Sequence, residues 1–235
     1  MSELQESRIR PALEVIGVTL LALIVSLSVS GVFVILLLFL GYDVTTTFAL
    51  GGAAVFGQFG FLLVAYFYIY RRKINVPLNV PSKSDLLYIG GGAIIALVTA
   101  VGFSQILLYF DRMPESVIEE MAQRSPIILI VLAVLSVVLI APAEELLFRG
   151  AIQGKLREHF QPFPAIAGAS ILFGSFHFLN YAGDLLSIMM TTSMIVVIGG
   201  IIGYLYEKTG NLTVPILVHG IYNFVLLVSS YYAMV

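Results

Sequence analysis

Apolar residues run along this chain in seven long stretches, separated by short polar gaps. The stretches lie at roughly 12–40, 48–70, 86–110, 126–148, 163–180, 185–206 and 212–234. Each approaches or exceeds the ~20 apolar residues that a helix needs to cross a bilayer. The pattern predicts an all-α, polytopic transmembrane bundle of about seven spans. The first stretch is long enough to tilt or to hide a break near Ser30-Gly31, which would add an eighth element. The fourth is expected to continue as helix to about Glu158. No soluble domain fits between the spans, because the longest gaps are residues 71–85 and 111–125.

Those two gaps differ in character. Residues 71–85 are basic and broken by prolines, which predicts a solvated connector. Residues 111–125 predict a short interfacial helix, with Pro114 in its first turn and Val117, Ile118 and Met121 along one face. Basic residues set the orientation. With the N-terminus inside, one flank collects Arg8, Arg10, Arg71, Arg72, Lys73, Lys83, Lys155, Arg157 and Lys208, and the other only Arg112 and Arg124. The N-terminus is therefore expected in the cytoplasm and, with seven spans, the C-terminus outside.

Composition agrees with a membrane location. Of 235 residues, 59% are hydrophobic and 11% charged, where soluble domains carry about 25% charged residues. The formal net charge of −2 gives no reason to expect a nucleic-acid partner. Cysteine is absent, which removes disulfides, thiolate metal ligands and a cysteine nucleophile together. The first apolar run is too long for a signal-peptide core and is read as a retained span. Glycines at Gly51-Gly52, Gly90-Gly91-Gly92 and Gly199-Gly200-x-x-Gly203 fall within spans, where small residues let helices approach closely.

Against this apolar background, six polar residues stand out: Glu144, Glu145, Arg149, His177, His219 and Asn223. A charged side chain at the bilayer centre costs roughly 2.5–3.5 kcal/mol even on lenient scales, so the group predicts a buried site between spans four, five and seven. Spans four and five form a hairpin through the turn at residues 159–164, with Glu144 and His177 nearly equidistant from its middle. At 1.5 Å per residue both lie about 25 Å up their helices and can face each other. Glu145 and Arg149 are four apart, as are His219 and Asn223, so each pair shares a helix face. Pro215 should kink or start the last helix just before His219. A carboxylate and an imidazole converging on a water can activate it, and a second imidazole with an amide can steady an oxyanion. That set suits hydrolysis of an acyl bond. Glu144, His177 and His219 could equally hold a zinc ion, so metal-assisted and metal-free hydrolysis both stay open.

The ordered pattern Glu144-Glu145-x-x-x-Arg149, Phe173-x-x-x-His177 and His219-x-x-x-Asn223 closely resembles the CPBP intramembrane proteases. This family holds the CAAX prenyl endopeptidases and the bacteriocin-processing or self-immunity (Abi) proteins. The resemblance divides the chain into N-terminal spans, residues 1–125, and a catalytic core, residues 126–235. It implies that Glu144 is base to the attacking water with His177 as partner. It further implies that His219 and Asn223 stabilise the oxyanion, and that Glu145 and Arg149 order the site. The expected partners are the lipid bilayer and a peptide or membrane-protein substrate, prenylated or carrying a leader, reached from the cytoplasmic side.

Blander accounts exist for each motif. Glu144-Glu145 could cap a helix starting at Pro142, His177 could bond a backbone carbonyl, and His219 with Asn223 could join helices. A non-catalytic scaffold or immunity protein would need no more than these. No HExxH occurs, Ser175 lacks a nucleophile turn, and Asp43 and Asp184 sit at span ends, so other protease chemistries are disfavoured.

Overall fold

The computed structural model describes residues 3–235. Met1 and Ser2, and the side chains of residues 3–8, lie outside the described residues, so Arg8's share of the charge bias falls outside too. Among the described residues seven helices are long and apolar enough to cross a membrane. They are Ile9–Phe39, Thr47–Arg72, Lys83–Tyr109, Ile127–Arg157, Pro162–Asn180, Leu185–Thr209 and Thr213–Met234. The bundle is all-α, as the apolar pattern predicts. The first helix begins at Glu3 and runs unbroken through Ser30-Gly31 to Phe39, so no eighth span arises there. Large apolar side chains such as Leu20, Leu36 and Val98 stay exposed on the outside, while Glu145 and Arg149 are fully buried. This inverted distribution suits lipid as the surrounding solvent.

Local chemistry fixes the span ends. Thr46 accepts the Ala49 N–H at the start of the second span. Ser82 and Asp85 form a reciprocal capping box at the third. Asp184 caps the sixth, accepting the N–H and hydroxyl of Ser187, and these bonds hold its carboxyl below the ordinary aspartate value. Left-handed residues close two helices, Lys73 after the second and Gly210 after the sixth. The last helix starts at Thr213, with Pro215 in its first turn, where a missing N–H costs nothing.

Spans one and two form the tightest pair. A Cβ on Gly60 would lie 2.5 Å from the Ser26 Cα, and one on Gly57 would lie 2.8 Å from the Ser26 and Ser30 hydroxyls. Further along, the Tyr68 hydroxyl donates to Glu14 at 2.7 Å, and Arg72 pairs with the same carboxylate. With one face of span two closed against span one, Phe61, Val64 and Ala65 are buried in the central core with Leu147 and Phe148 of span four.

Two gaps differ from expectation. The stretch after span two is not simply solvated. Ile74, Val76 and Pro77 are half-buried, and an added Cβ on Gly154 or Gly150 would meet Ile74 at 2.9 Å or Val76 at 3.3 Å. Leu212 donates its N–H to the Pro77 carbonyl at 2.8 Å, and Asn79 exchanges backbone bonds with the Asn211 amide. The physical reason is alternation: extended backbone puts Ile74 and Val76 on one side and Asn75 on the other. In the other gap the helix runs Val117–Arg124 and Pro114 precedes it. Glu115–Ser116 instead forms strand β1, antiparallel to β2 at Tyr181–Ala182, and Arg112 pairs with Asp184 at 3.2 Å. Met121 and Ala122 are buried, whereas Val117 and Ile118 remain exposed.

Span four carries the distinctive geometry. Its helix is continuous, but residues Ser136–Ile140 and Leu146–Gln153 take the wider π form around an α segment at Ala141–Glu145. Ala141 donates to the Ser136 carbonyl, five residues back, so Pro142 is accommodated without a break. No helix starts at Pro142, and helix capping therefore does not account for Glu144-Glu145.

The backbone approach at Gly60 yields a direct test. Gly60→Ala is expected to destabilise the protein by about 1–3 kcal/mol through overpacking against the Ser26 backbone, read as a lowered unfolding midpoint in mixed micelles. Gly90→Ala, with open space at its Cβ position, should leave the midpoint near wild type.

Candidate active site

The short α segment between the two π stretches aims both glutamates inward: Glu145 is fully buried and Glu144 nearly so. Glu145 is tied at both oxygens. Arg149 Nε donates to Oε2 at 2.9 Å, and His219 Nδ1 meets Oε1 at 2.8 Å. A carboxylate held by a guanidinium can only accept, so Nδ1 carries the proton of the His219 contact. The ring's other nitrogen, Nε2, lies 3.9 Å from Glu144 Oε2. His219 thus stands between two carboxylates, bonded to one and facing the other.

Glu144 is held more loosely. Gln58 Nε2, from span two, approaches its Oε1 at 3.4 Å, and Oε2 has no hydrogen-bond partner although it is buried. The two adjacent glutamates therefore have opposite environments. One is locked into an ion pair and the other is left with a free oxygen.

Phe173 is the hub around which the imidazoles and the guanidinium are arranged. Its ring meets His219 edge-on at 5.7 Å, lies 4.7 Å from His177, and has the Arg149 guanidinium above it at 5.3 Å. His177 ends the α geometry of span five and opens a 3-10 turn to Asn180. Its Nδ1 bonds the Phe173 carbonyl at 2.9 Å. A carbonyl only accepts, so that nitrogen is the donor, and Nε2 takes no part in the bond. The backbone-carbonyl bond weighed for His177 therefore forms, and it leaves the other nitrogen available. Among the described residues His177 makes no ion-pair contact with Glu144; the imidazole recorded beside Glu144 belongs to His219. Asn223 sits one turn beyond His219, half-buried, with no hydrogen bond recorded to the site.

Several contributors carried no functional assignment in the sequence. Gln153, one turn after Arg149 and fully buried, donates to the Gly203 carbonyl at 3.1 Å. Gly199 and Gly203 of span six do more than let helices approach. Added Cβ atoms there would lie 3.4 and 3.2 Å from the two terminal nitrogens of Arg149, and 2.8 Å from Gln153 Oε1. These two glycines make the space that the guanidinium occupies. Their i, i+4 spacing was the available signal, beside the matching i, i+4 spacing of Arg149 and Gln153. Gln58 was visible only as a lone amide in an apolar span. Ser175 donates to the Leu172 carbonyl at 2.8 Å, Asp43 accepts from the Thr45 N–H and hydroxyl, and Asp184 accepts from Ser187 as a cap, so each has a local structural use.

Among the described residues no three His, Asp or Glu side chains converge as ligands, so the set Glu144, His177 and His219 does not form a ready zinc site.

Residues 126–225 match the family model described as Type II CAAX prenyl endopeptidase Rce1-like, the family that the three motifs resemble. The matched segment holds all six motif residues and excludes Gln58. A protein of Bacillus subtilis (strain 168), named Uncharacterized protein YpbD, is 40% identical over 81 residues, or 34% of this chain. That stretch is 36% of the relative, so the chain spans little more than a third of its length. No solved structure matches the chain.

Arg149→Met is expected to strip Glu145 of its counter-charge. Leaving one buried charge uncompensated costs about 3–5 kcal/mol, so the variant should lose folded protein in detergent, read by size-exclusion and thermal unfolding. Unchanged stability would show that Glu145 does not depend on Arg149.

Proposed function

We propose that this chain is an intramembrane endopeptidase in which Glu144 activates the water that attacks a peptide bond. The observation that carries the reading is the contrast between the glutamates: Glu145 is fully bonded, whereas Glu144 Oε2 is buried and unpartnered. A carboxylate oxygen kept from protein donors at membrane depth is costly unless a small polar reactant uses it.

Glu144 takes a proton from water as its oxygen bonds to the scissile carbonyl carbon. The carbonyl oxygen gains the electron pair, and His219 Nε2, when protonated, donates to it from beside Glu144. Asn223, on the same helix face, supplies an amide toward the same oxyanion. The tetrahedral species then expels the amine as the C–N bond breaks, and Glu144 returns its proton to that nitrogen. The part of partner to Glu144 comes to His177 from the family resemblance, with Nε2 left unused by the bond to the Phe173 carbonyl. Glu145 and Arg149 hold His219 in place from behind. No step in this reading passes through a metal.

The substrate is a membrane-associated polypeptide, of the CAAX or leader-peptide kind that the family resemblance implies. The basic flank at Arg71, Arg72, Lys73, Lys155 and Arg157 supports access from the cytoplasmic side.

Terminus-selective mass spectrometry of membranes carrying wild type or Glu144→Ala tests the reading, with and without a chelator. Peptide termini found with wild type should fall by about 10²–10⁴-fold in the variant and persist under chelation. Identical termini at equal expression would leave a non-catalytic scaffold. Termini lost on chelation would bring a metal back.

A further inference from the structure

Two buried acceptors flank the same contact in this site. Gln58 gives its Nε2 to Glu144 Oε1 at 3.4 Å, while the amide's own oxygen, Oε1, and the second carboxylate oxygen, Glu144 Oε2, are buried without a protein donor. The amide orientation follows from chemistry, since a carboxylate oxygen can accept from Nε2 but not from Oε1. Unmet acceptors on both members of one hydrogen-bonded pair suit one molecule with two donors. Water is that molecule, and buried water commonly bonds such otherwise unsatisfied groups.

We propose that Gln58 holds the attacking water against Glu144, so that span two, outside the family-matched segment, completes the active site. The inference rests on the hydrolytic reading above. The water gives one O–H to Glu144 Oε2, the proton that leaves during attack. It gives the other to Gln58 Oε1, which fixes the direction of its lone pairs. His219 Nε2, 3.9 Å from Glu144 Oε2, borders the same place.

The backbone around Gln58 is built to hold this position. Gly57 and Gly60 flank it and press span two onto span one, with a Gly60 Cβ placed 2.5 Å from Ser26 Cα. That contact leaves span two little freedom to slide or roll. On the other side, Phe61 meets Phe176 edge-on at 4.7 Å, one residue before His177. An amide in an otherwise apolar face is thereby set at the depth of Glu144. A solvated or lipid-facing glutamine would satisfy its own oxygen in water and would need no such support.

The test uses full-length protein in proteoliposomes and two readouts. Infrared difference spectra in H2-16O and H2-18O should show a site-water O–H band in wild type. That band should disappear in Gln58→Met, which keeps the side-chain length without the amide, and in Glu144→Gln. In turnover of a substrate identified from the membrane comparison, Gln58→Met should lower kcat roughly 10²-fold with KM nearly unchanged. Gln58→Glu, which keeps an acceptor oxygen, should recover part of that loss. A retained water band in folded Gln58→Met, or a raised KM with unaltered kcat, overturns the proposal. If wild type cleaves nothing, the hydrolytic reading fails, while the water band still decides whether Gln58 and Glu144 share a water.

Discussion

The structure depends on one constraint: a carboxylate and a guanidinium buried at membrane depth must stay bonded to each other. Desolvating such ions costs several kcal/mol each, and only close geometry with further hydrogen bonds offsets it. Glu145 and Arg149 meet that demand at 2.9 Å, and His219 takes the remaining carboxylate oxygen. Neighbouring elements are shaped around the pair. Gly199 and Gly203 leave room for the guanidinium, Phe173 offers it a ring face, and Gln153 ties the same turn to span six. Span seven is held by the same bond, since His219 reaches Glu145 from it.

Once Glu145 is fixed, its neighbour inherits a defined place. Glu144 precedes it in the same α segment, between two π stretches, and cannot relax toward lipid without straining the ion pair. π stretches are uncommon and frequent at functional sites. Here they let Pro142 sit inside the helix and set the direction of both glutamates. The division of labour follows: a bonded, structural carboxylate beside a free one. The N-terminal spans share in this arrangement, because Gln58 touches Glu144 across the bundle.

Much of this could be read from the residues, and the exceptions have physical causes. The seven spans follow from length and apolarity, which depend on composition more than on fine geometry. Glu144, Glu145, Arg149, His177 and His219 were visible because ionisable side chains in apolar runs are costly. Ideal helices of constant rise set Glu144 and His177 at one depth, but the π stretch at Leu146–Gln153 and the 3-10 turn at His177 depart from constant rise. The imidazole within 4 Å of Glu144 is that of His219, on span seven, which spacing within the span-four/span-five hairpin could not reveal. The tucked connector at Ile74–Pro77 was obscured by its basic and proline-rich flanks. Gln58 gave no pattern at all, since one amide in an apolar span signals nothing until its partner across the bundle is known.

The most direct measurement is a paired comparison of Glu144→Gln and Glu145→Gln, with folding and peptide cleavage read on the same preparations. Glu144→Gln should unfold at the wild-type midpoint and cleave nothing detectable. Glu145→Gln should lose stability outright, because Arg149 is left buried without its counter-ion. A Glu144→Gln variant that still cleaves, or a Glu145→Gln variant as stable as wild type, would contradict the assignment of one glutamate to chemistry and the other to structure.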